Sequence, residues 1–251
     1  MSDRIRFRLA AAFLGLSCAA APATHASDVC ASAPGYRTDD PGLASLLERT
    51  LPVLDRFASL DEAFRSVAPD ICLFTETSEA LGYFEPDTGR IAIDGRLGAD
   101  LQAAILVHEL RHVEQFSRSL CPDLSLSMQN YARAIWAMEA DATTVSLIVV
   151  WDMAGRGDAG PLEALAAHPN YHDITEVFAT AMTNMQDVAE ASAAAFAAWY
   201  ESEKRRESYY LSSCAAYLDQ QDATHALPQY GSLEPSFFLS LCRLPNGALA
   251  G

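Results

Sequence analysis

The chain has 251 residues, half of which are hydrophobic, and it carries a formal net charge of −16 at pH 7. A chain this apolar can bury a substantial core and does not belong to the disordered class. Its length fits one sizeable domain or two small ones, and we expect a single domain over residues 27–251. The negative charge would be repelled by phosphate backbones, which argues against nucleic acid as a partner.

The first 26 residues have the features of a secretory signal peptide. Three early arginines precede a short apolar stretch, residues 9–20, and small residues suitable for cleavage follow it. This stretch and the later apolar run at 145–151 are too short to span a membrane, so we expect no stable membrane insertion after cleavage. The sequence predicts an exported protein, periplasmic or extracellular. Lipid attachment at Cys18 is less favoured, because Gly15 stands where a lipoprotein box has a branched aliphatic residue.

The mature N-terminal region is predicted to form a scaffold. Residues 27–41 are polar and broken by prolines, so we expect an irregular lead-in held by Cys30. Residues 42–67 place apolar side chains at helical spacing and predict a helix that is bent or split near Pro52.

Three short apolar runs follow, at residues 70–75, 80–85 and 90–94. Their length and β-branched content predict strands. The second and third are separated by Pro-Asp-Thr-Gly, which is a hairpin signal.

Residues 99–121 contain no proline or glycine and predict a long buried helix. Its centre reads H-E-L-R-H from His108 to His112, an H-E-x-x-H motif. Residues four apart lie on one face of a helix, so both histidines can direct a nitrogen at one zinc ion. Glu109 can then reach a metal-bound water, which is the position of a general base. The alternative, a core helix with two hydrogen-bonded histidines, is disfavoured because such groups are costly to bury without a partner.

A second apolar helix, predicted over residues 126–153, carries the carboxylates Glu139 and Asp141. Two histidines on one helix require a third ligand from elsewhere. Glu139 is the candidate, because the 26 residues between it and His112 leave room for a return loop. Asp141 lies about 200° further round the helix, so we expect it to support the site by hydrogen bonding, with direct ligation as the alternative.

The segment at residues 166–173 contains two histidines and a tyrosine. A donor from outside the metal helices can stabilise an oxyanion, so Tyr171 and His172 are candidates, and an ordinary surface loop is the alternative. The sequence further predicts one or two helices, a solvated helix face and a tail that wraps back on the core, over residues 174–200, 201–207 and 229–245.

Five cysteines follow the signal peptide, namely Cys30, Cys72, Cys121, Cys214 and Cys242. Two disulfides and one free thiol are the simplest outcome in an oxidising compartment. We expect Cys214–Cys242 to fasten the tail and Cys72–Cys121 to tie a strand to the end of the motif helix, although spacing alone does not fix the connectivity.

The set His108, Glu109, His112 and Glu139 resembles the gluzincin pattern of the zincins, in which a glutamate on a following helix completes the zinc site. The Gly-Arg-Ile-Ala-Ile-Asp strand and the Glu-Ala-Asp-Ala segment that begins at Glu139 also resemble a group of uncharacterised bacterial metallopeptidases. The resemblance covers under a third of the chain, and it implies zinc on the two histidines and Glu139, with Glu109 as general base. The chain departs from the pattern at Thr143, where many gluzincins have an aspartate that supports the first histidine.

The sequence thus predicts a mostly helical, zincin-like α+β domain with a small hairpin or sheet beside the motif helix. The predicted function is that of a zinc-dependent hydrolase with one Zn²⁺ per chain, most specifically a metallopeptidase that cleaves a peptide or protein by Glu-assisted attack of zinc-bound water. The hairpin strand is a candidate edge for an extended substrate, with a plain structural hairpin as the alternative.

Two other functions stay open, a non-catalytic zinc-stabilised binding module and a zinc-dependent amidase or esterase. A structural zinc site is closed by four protein ligands, so a fourth ligand from His168 or His172 would favour the binding module.

Overall fold

The computed structural model describes residues 28–75, 80–241 and 243–247. The predicted signal peptide, with Cys18, lies outside these residues. The described chain is mostly helical with one small sheet, which confirms the predicted α+β class.

The helix predicted over residues 42–67 forms in two pieces, α1 (Pro41–Thr50) and α2 (Ala58–Val67). A 3₁₀ turn, Leu51–Arg56, joins them. Pro52 lies at the start of this turn, where its missing amide hydrogen costs least and where it interrupts regular α-helical bonding. The predicted break near Pro52 is therefore confirmed.

A four-stranded sheet has the order β1-β2-β4-β3. Its strands are β1 (Val29–Ala31), β2 (Asp70–Phe74), β3 (Gly82–Glu85) and β4 (Arg90–Asp94). The inner pair, β2 and β4, is parallel, and the two outer pairings are antiparallel. The predicted hairpin is present as β3 and β4, and β3 forms one edge of the sheet.

Three predictions are wrong, one for the N-terminal lead-in and two for the cysteines. The expected irregular lead-in contains β1, which at three residues is too short to give a periodic signal. Cys30 lies opposite Cys72 on the neighbouring strand and forms a disulfide with it, so Cys72 is not bonded to Cys121. Cys214 has a free thiol, which contradicts its predicted bond to Cys242, a residue outside the described ranges.

Two long helices form the centre of the molecule, α3 (Ala99–Ser117) and α4 (Met128–Gly155). They pack against each other, and α3 also contacts the sheet and the N-terminal helices. Residues 102–115 of α3 are all buried, which explains why polar side chains on any face of this helix must find partners inside the protein.

The remaining described helices surround this pair. They are α5 (Gly160–Ala167), α6 (His172–Met185), α7 (Val188–Trp199), α8 (Glu203–Thr224) and α9 (Pro235–Leu241). The predicted one or two helices over 174–200 are therefore two. The tail returns to the core as expected, with Gly231 bridged to Leu126 and α9 packed on α4.

Among the described residues, α4 is the helix that is long and apolar enough to cross a membrane by length and composition. In the folded protein, 83% of the most apolar stretch of α4 is buried, as is usual for a core helix.

The edge strand β3 approaches α3 closely at Gly82. A Cβ atom at this position would lie 2.6 Å from Ile105 Cγ2 and 3.0 Å from Ile93 Cδ1. Only a residue without a side chain fits there, so Gly82 brings the edge of the sheet against the helix that carries the motif.

Candidate metal centre

α3 brings the two motif histidines together one helical turn apart. The Nε2 atoms of His108 and His112 are 3.0 Å from each other. Glu139 enters from α4, with its carboxylate oxygens 3.4 Å from His108 Nε2 and 3.5 Å from His112 Nε2. Within the described part of the chain, these three residues are the group of side chains arranged to hold a metal ion, and all three are buried.

The spacing of the donor atoms fits a small divalent cation. Zinc–nitrogen and zinc–oxygen bonds of about 2.0–2.2 Å in tetrahedral geometry place neighbouring ligand atoms roughly 3.3–3.5 Å apart. Neither oxygen of Glu139 has a hydrogen-bond partner among the described residues. A fully buried, unsatisfied carboxylate facing two imidazole nitrogens is costly unless a cation lies between them. The donor set therefore fits a metal such as zinc.

The electrostatics of the two ligands on facing helices are coupled. Burial alone would lower the pKa of His112, but the carboxylate of Glu139 outweighs it and raises that pKa to about 9. Burial likewise opposes the ionisation of Glu139, but the adjacent His112 lowers its pKa to about 2. Without a metal, a proton on His112 thus supplies the positive charge that the carboxylate requires.

Glu109 lies beside this cluster with both carboxylate oxygens buried and without a hydrogen-bond partner in the described chain. Burial raises its pKa to about 8, with the charge of Glu139 adding to the shift and His112 opposing it. The backbone amide of Phe84, on the edge strand β3, faces the carboxylate and favours its ionised form. A carboxyl group of this kind can hold or release a proton near neutral pH.

Gln115 is a site residue that the sequence reasoning missed. Its Oε1 lies 2.8 Å from His112 Nδ1, and its Nε2 donates to the Met138 carbonyl at 3.0 Å and to Asp141 Oδ2 at 2.7 Å. Gln115 follows His112 by three residues on a buried helix, so it lies on nearly the same face. It supports the second histidine, His112, whereas the aspartate that Thr143 replaces would support the first, His108.

Asp141 belongs to the surroundings of the cluster and is not grouped with the potential metal ligands. Its two oxygens accept hydrogen bonds from Arg111 Nε at 2.7 Å and Arg111 Nη2 at 2.9 Å. The predicted supporting role fits this geometry, whereas direct ligation does not. Arg111, one of the two variable residues of the motif, was also missed, although a guanidinium inside an apolar helix indicates a buried carboxylate partner.

Of the two candidate oxyanion donors, the structure brings one near the cluster. Tyr171 is 5% exposed, its hydroxyl has no hydrogen-bond partner among the described residues, and burial and the nearby Glu139 and Glu109 raise its pKa well above 10. The side chain of His172 is 65% exposed and its Nδ1 bonds the Ala166 carbonyl at 2.7 Å. His172 therefore points away from the site.

A second tyrosine, Tyr209 of α8, reaches the cluster and was not predicted. Burial, with the charge of Glu139 and the proximity of Tyr171 adding to it, raises its pKa well above 10. The same helix holds Tyr171 in place, since Arg205 Nη2 donates to the Asn170 carbonyl at 3.0 Å and to Asp173 Oδ1 at 2.7 Å. α8 thus forms a wall of the site that supplies one phenol and positions another.

The whole centre is shielded from solvent. His108, Glu109, His112 and Glu139 are each 2% exposed or less. A mostly helical α+β fold that buries two histidines and a glutamate around one point, with a second glutamate adjacent, is that of a protein built to hold a metal ion.

The chain belongs to the Putative metallopeptidase family (DUF6782), whose model matches residues 19–249. No curated protein and no solved structure matches the chain. Membership of this family indicates a metal-dependent hydrolase, and the buried cluster supplies a site for the metal.

Proposed function

We propose that this protein is a zinc-dependent peptidase of an exported compartment, with one Zn²⁺ held by His108, His112 and Glu139. The observation that carries the proposal is the convergence of these three donors from two buried helices, with the unpaired carboxylate of Glu109 beside them. Three protein ligands leave a position for water or substrate, as catalytic zinc sites require. The Cys30–Cys72 disulfide is consistent with an oxidising compartment outside the cytoplasm.

Each residue has a distinct task in the proposed reaction. Zinc, when bound, polarises a carbonyl and makes a water molecule acidic. Glu109 takes the proton from the attacking water and passes it to the leaving amine, a role suited to its raised pKa of about 8. Tyr171 donates a hydrogen bond from its hydroxyl to the developing oxyanion, because its raised pKa keeps it protonated and its hydroxyl has no other partner among the described residues.

The position of β3 supports a peptide as substrate. β3 is an edge strand, so an extended segment can add to it through main-chain hydrogen bonds. The strand lies against α3 at Gly82, and its Phe84 amide faces Glu109. A peptide paired with β3 would therefore lie along the strand whose Phe84 amide faces the buried general base.

The deciding experiment combines metal analysis with hydrolysis of a defined peptide mixture followed by mass spectrometry. We expect about one zinc in the purified parent and a loss of stoichiometric zinc in His112→Ala and Glu139→Ala. Glu109→Gln should retain zinc and hydrolyse peptides about 10²–10⁴-fold more slowly. Failure of the parent to bind zinc even after incubation with it, or an unchanged rate in Glu109→Gln, would overturn the proposal.

The alternative of a non-catalytic zinc clip is less well supported. His172 is exposed, and His168 is not part of the three-residue cluster within the described chain. The amidase or esterase alternative is tested by the same Glu109→Gln pair of proteins on simple amides and esters, where activity without peptide cleavage would replace the peptidase proposal.

A further inference from the structure

The C-terminal tail makes direct contact with the motif helix through Arg111. This arginine is 0% exposed, and its Nη2 donates to the carbonyl oxygens of Leu241 at 3.0 Å and Arg243 at 3.1 Å. More than 120 residues separate Arg111 from these carbonyls along the chain. Because these acceptors belong to the tail, the buried guanidinium depends on the tail for part of its hydrogen bonding.

Arg111 is also one end of a continuous hydrogen-bonded path to a proposed metal ligand. The path runs from Arg111 to Asp141, from Asp141 to the Gln115 amide, and from Gln115 Oε1 to His112 Nδ1 at 2.8 Å. Every residue on this path is buried. The tail and the candidate metal centre are therefore linked by partners that cannot exchange their bonds for water.

The donors and acceptors fix the direction of every bond in the path. Arginine only donates and an ionised aspartate only accepts, so Gln115 must present its NH₂ group to Asp141 and to the Met138 carbonyl. Its Oε1 then faces His112 and accepts a hydrogen bond from Nδ1–H. In the neutral ring this leaves Nε2 with its lone pair directed at the other two ligands, as metal binding requires.

We propose that the C-terminal tail, docked through Leu241 and Arg243, is a positioning element for the metal centre, so that tail docking and metal binding stabilise each other. This inference rests on the proposed metal-binding function. The tail carbonyls hold the Arg111 guanidinium, which orients Asp141 and through it the Gln115 amide that aligns His112. Linkage then requires that undocking the tail lowers the affinity for the metal. Binding of the metal must raise the equilibrium constant for tail docking by the same factor.

The structure offers a place to loosen the tail without touching this path. Arg118, one turn past Gln115, donates to the Ser240 carbonyl. Arg118→Ala removes this anchor together with a 3.9 Å ion pair to Glu114, and it keeps the side chains of Arg111, Asp141 and Gln115. Arg49→Lys is a control away from the path, because Arg49 bonds the carboxylates of Asp158 and Asp100 and has no bond to the path.

The test uses the full chain and two readouts, zinc affinity by chelator competition and amide hydrogen exchange over residues 235–247 with and without zinc. In the parent, zinc should slow exchange in this segment more than in α7, which serves as the internal reference. Gln115→Leu should bind zinc about 10–100-fold more weakly and lose the zinc-dependent protection of the tail. Arg118→Ala should speed tail exchange and weaken zinc about fivefold or more, whereas Arg49→Lys should change neither.

The outcomes separate the two proposals. A parent that binds no zinc overturns the proposed function and this inference with it. A parent that binds zinc but shows no selective protection of residues 235–247 overturns the inference alone, and this result needs no variant to fold. Equal zinc affinity in the parent and a folded Arg118→Ala with a loosened tail also overturns it.

Discussion

The candidate metal centre is built from two regions of opposite character. α3 and α4 are buried on nearly every side and contribute His108, His112 and Glu139. α8 covers the same centre through the partly buried Tyr209, and most of its other described side chains are exposed or partly exposed, with Ser213 and Tyr217 fully buried. In a fully buried helix each charged residue needs a bonding partner, so its presence in an apolar sequence is a signal. In a half-exposed helix polar residues are ordinary, so a functional residue does not stand out from them. The comparison indicates that α3 and α4 provide stability, the potential metal ligands and the proposed general base Glu109, while the covering region provides the candidate oxyanion donors Tyr171 and Tyr209.

The largest expected effect tests the first half of that comparison. Asp141→Ala leaves the buried guanidinium of Arg111 with only Glu114 and main-chain carbonyls, so the free energy of unfolding should fall by about 3–5 kcal/mol. Denaturant unfolding followed by circular dichroism measures it. Asp152→Ala is the control on the same helix, because its partner Arg56 and Asp152 itself are partly exposed, and the loss should be about 0–1 kcal/mol. Equal losses in the two variants would contradict the buried role of Asp141.

A somewhat smaller effect, on activity alone, is expected for the tyrosines that cover the metal centre. Tyr171→Phe removes a hydroxyl that has no partner among the described residues, so stability should be kept while kcat falls about 10²–10³-fold. Steady-state kinetics and thermal unfolding on the same samples measure both.

Tyr217→Phe should give the opposite result. Its hydroxyl donates to the Leu126 carbonyl at 2.9 Å, away from the metal cluster, so the variant should lose about 0.5–1.5 kcal/mol of stability and keep its activity. If Tyr171→Phe keeps full activity, Tyr209 is the next candidate donor and Tyr171 is not the oxyanion donor.

A more gradual effect is a pH dependence of the metal-free protein. The pKa of Glu109 is raised to about 8 in the folded chain, so the folded state holds a proton that the unfolded state releases as pH rises above the ordinary carboxyl pKa of 4.5. The stability that this group contributes is fully present below about pH 4.5 and is lost as pH rises through 8, with a slope of at most about 1.4 kcal/mol per pH unit. His112, with a pKa of about 9, adds a loss of the same sign between 6.5 and 9.

Glu109→Gln cannot titrate, so its metal-free unfolding free energy should decline less steeply between pH 5 and 8 than that of the parent. Urea unfolding in the presence of a chelator at several pH values measures the two slopes. Parallel slopes would show that Glu109 keeps an ordinary pKa in the folded chain.

The sequence predicted the α3–α4 half of the site because its signals are local. The H-E-x-x-H spacing and two carboxylates inside an apolar helix point to the same buried centre. Gln115 and Arg111 could have been found by the same reasoning, since both lie within the buried stretch of α3. Tyr209 could not, because α8 has a weak apolar pattern and its contact with Glu139 depends on how distant helices pack.

The errors in the N-terminal region have the same origin. The Cys30–Cys72 bond follows from the pairing of β1 with β2, and no local pattern encodes which strands become neighbours. The split of the first helix at Pro52 and the hairpin were predicted correctly because a proline and a turn sequence act on the residues beside them.

The burial of the metal centre affects the rate of metal exchange as well as the affinity for the metal. With His108, Glu109, His112 and Glu139 each 2% exposed or less, a bound ion could exchange with solvent only when the surrounding helices open. The residence time of the metal would then follow the opening rate of the fold rather than the strength of three bonds. A chelator in large excess would strip the ion at a rate independent of chelator concentration, and heat or mild denaturant would accelerate that loss before the chain unfolds.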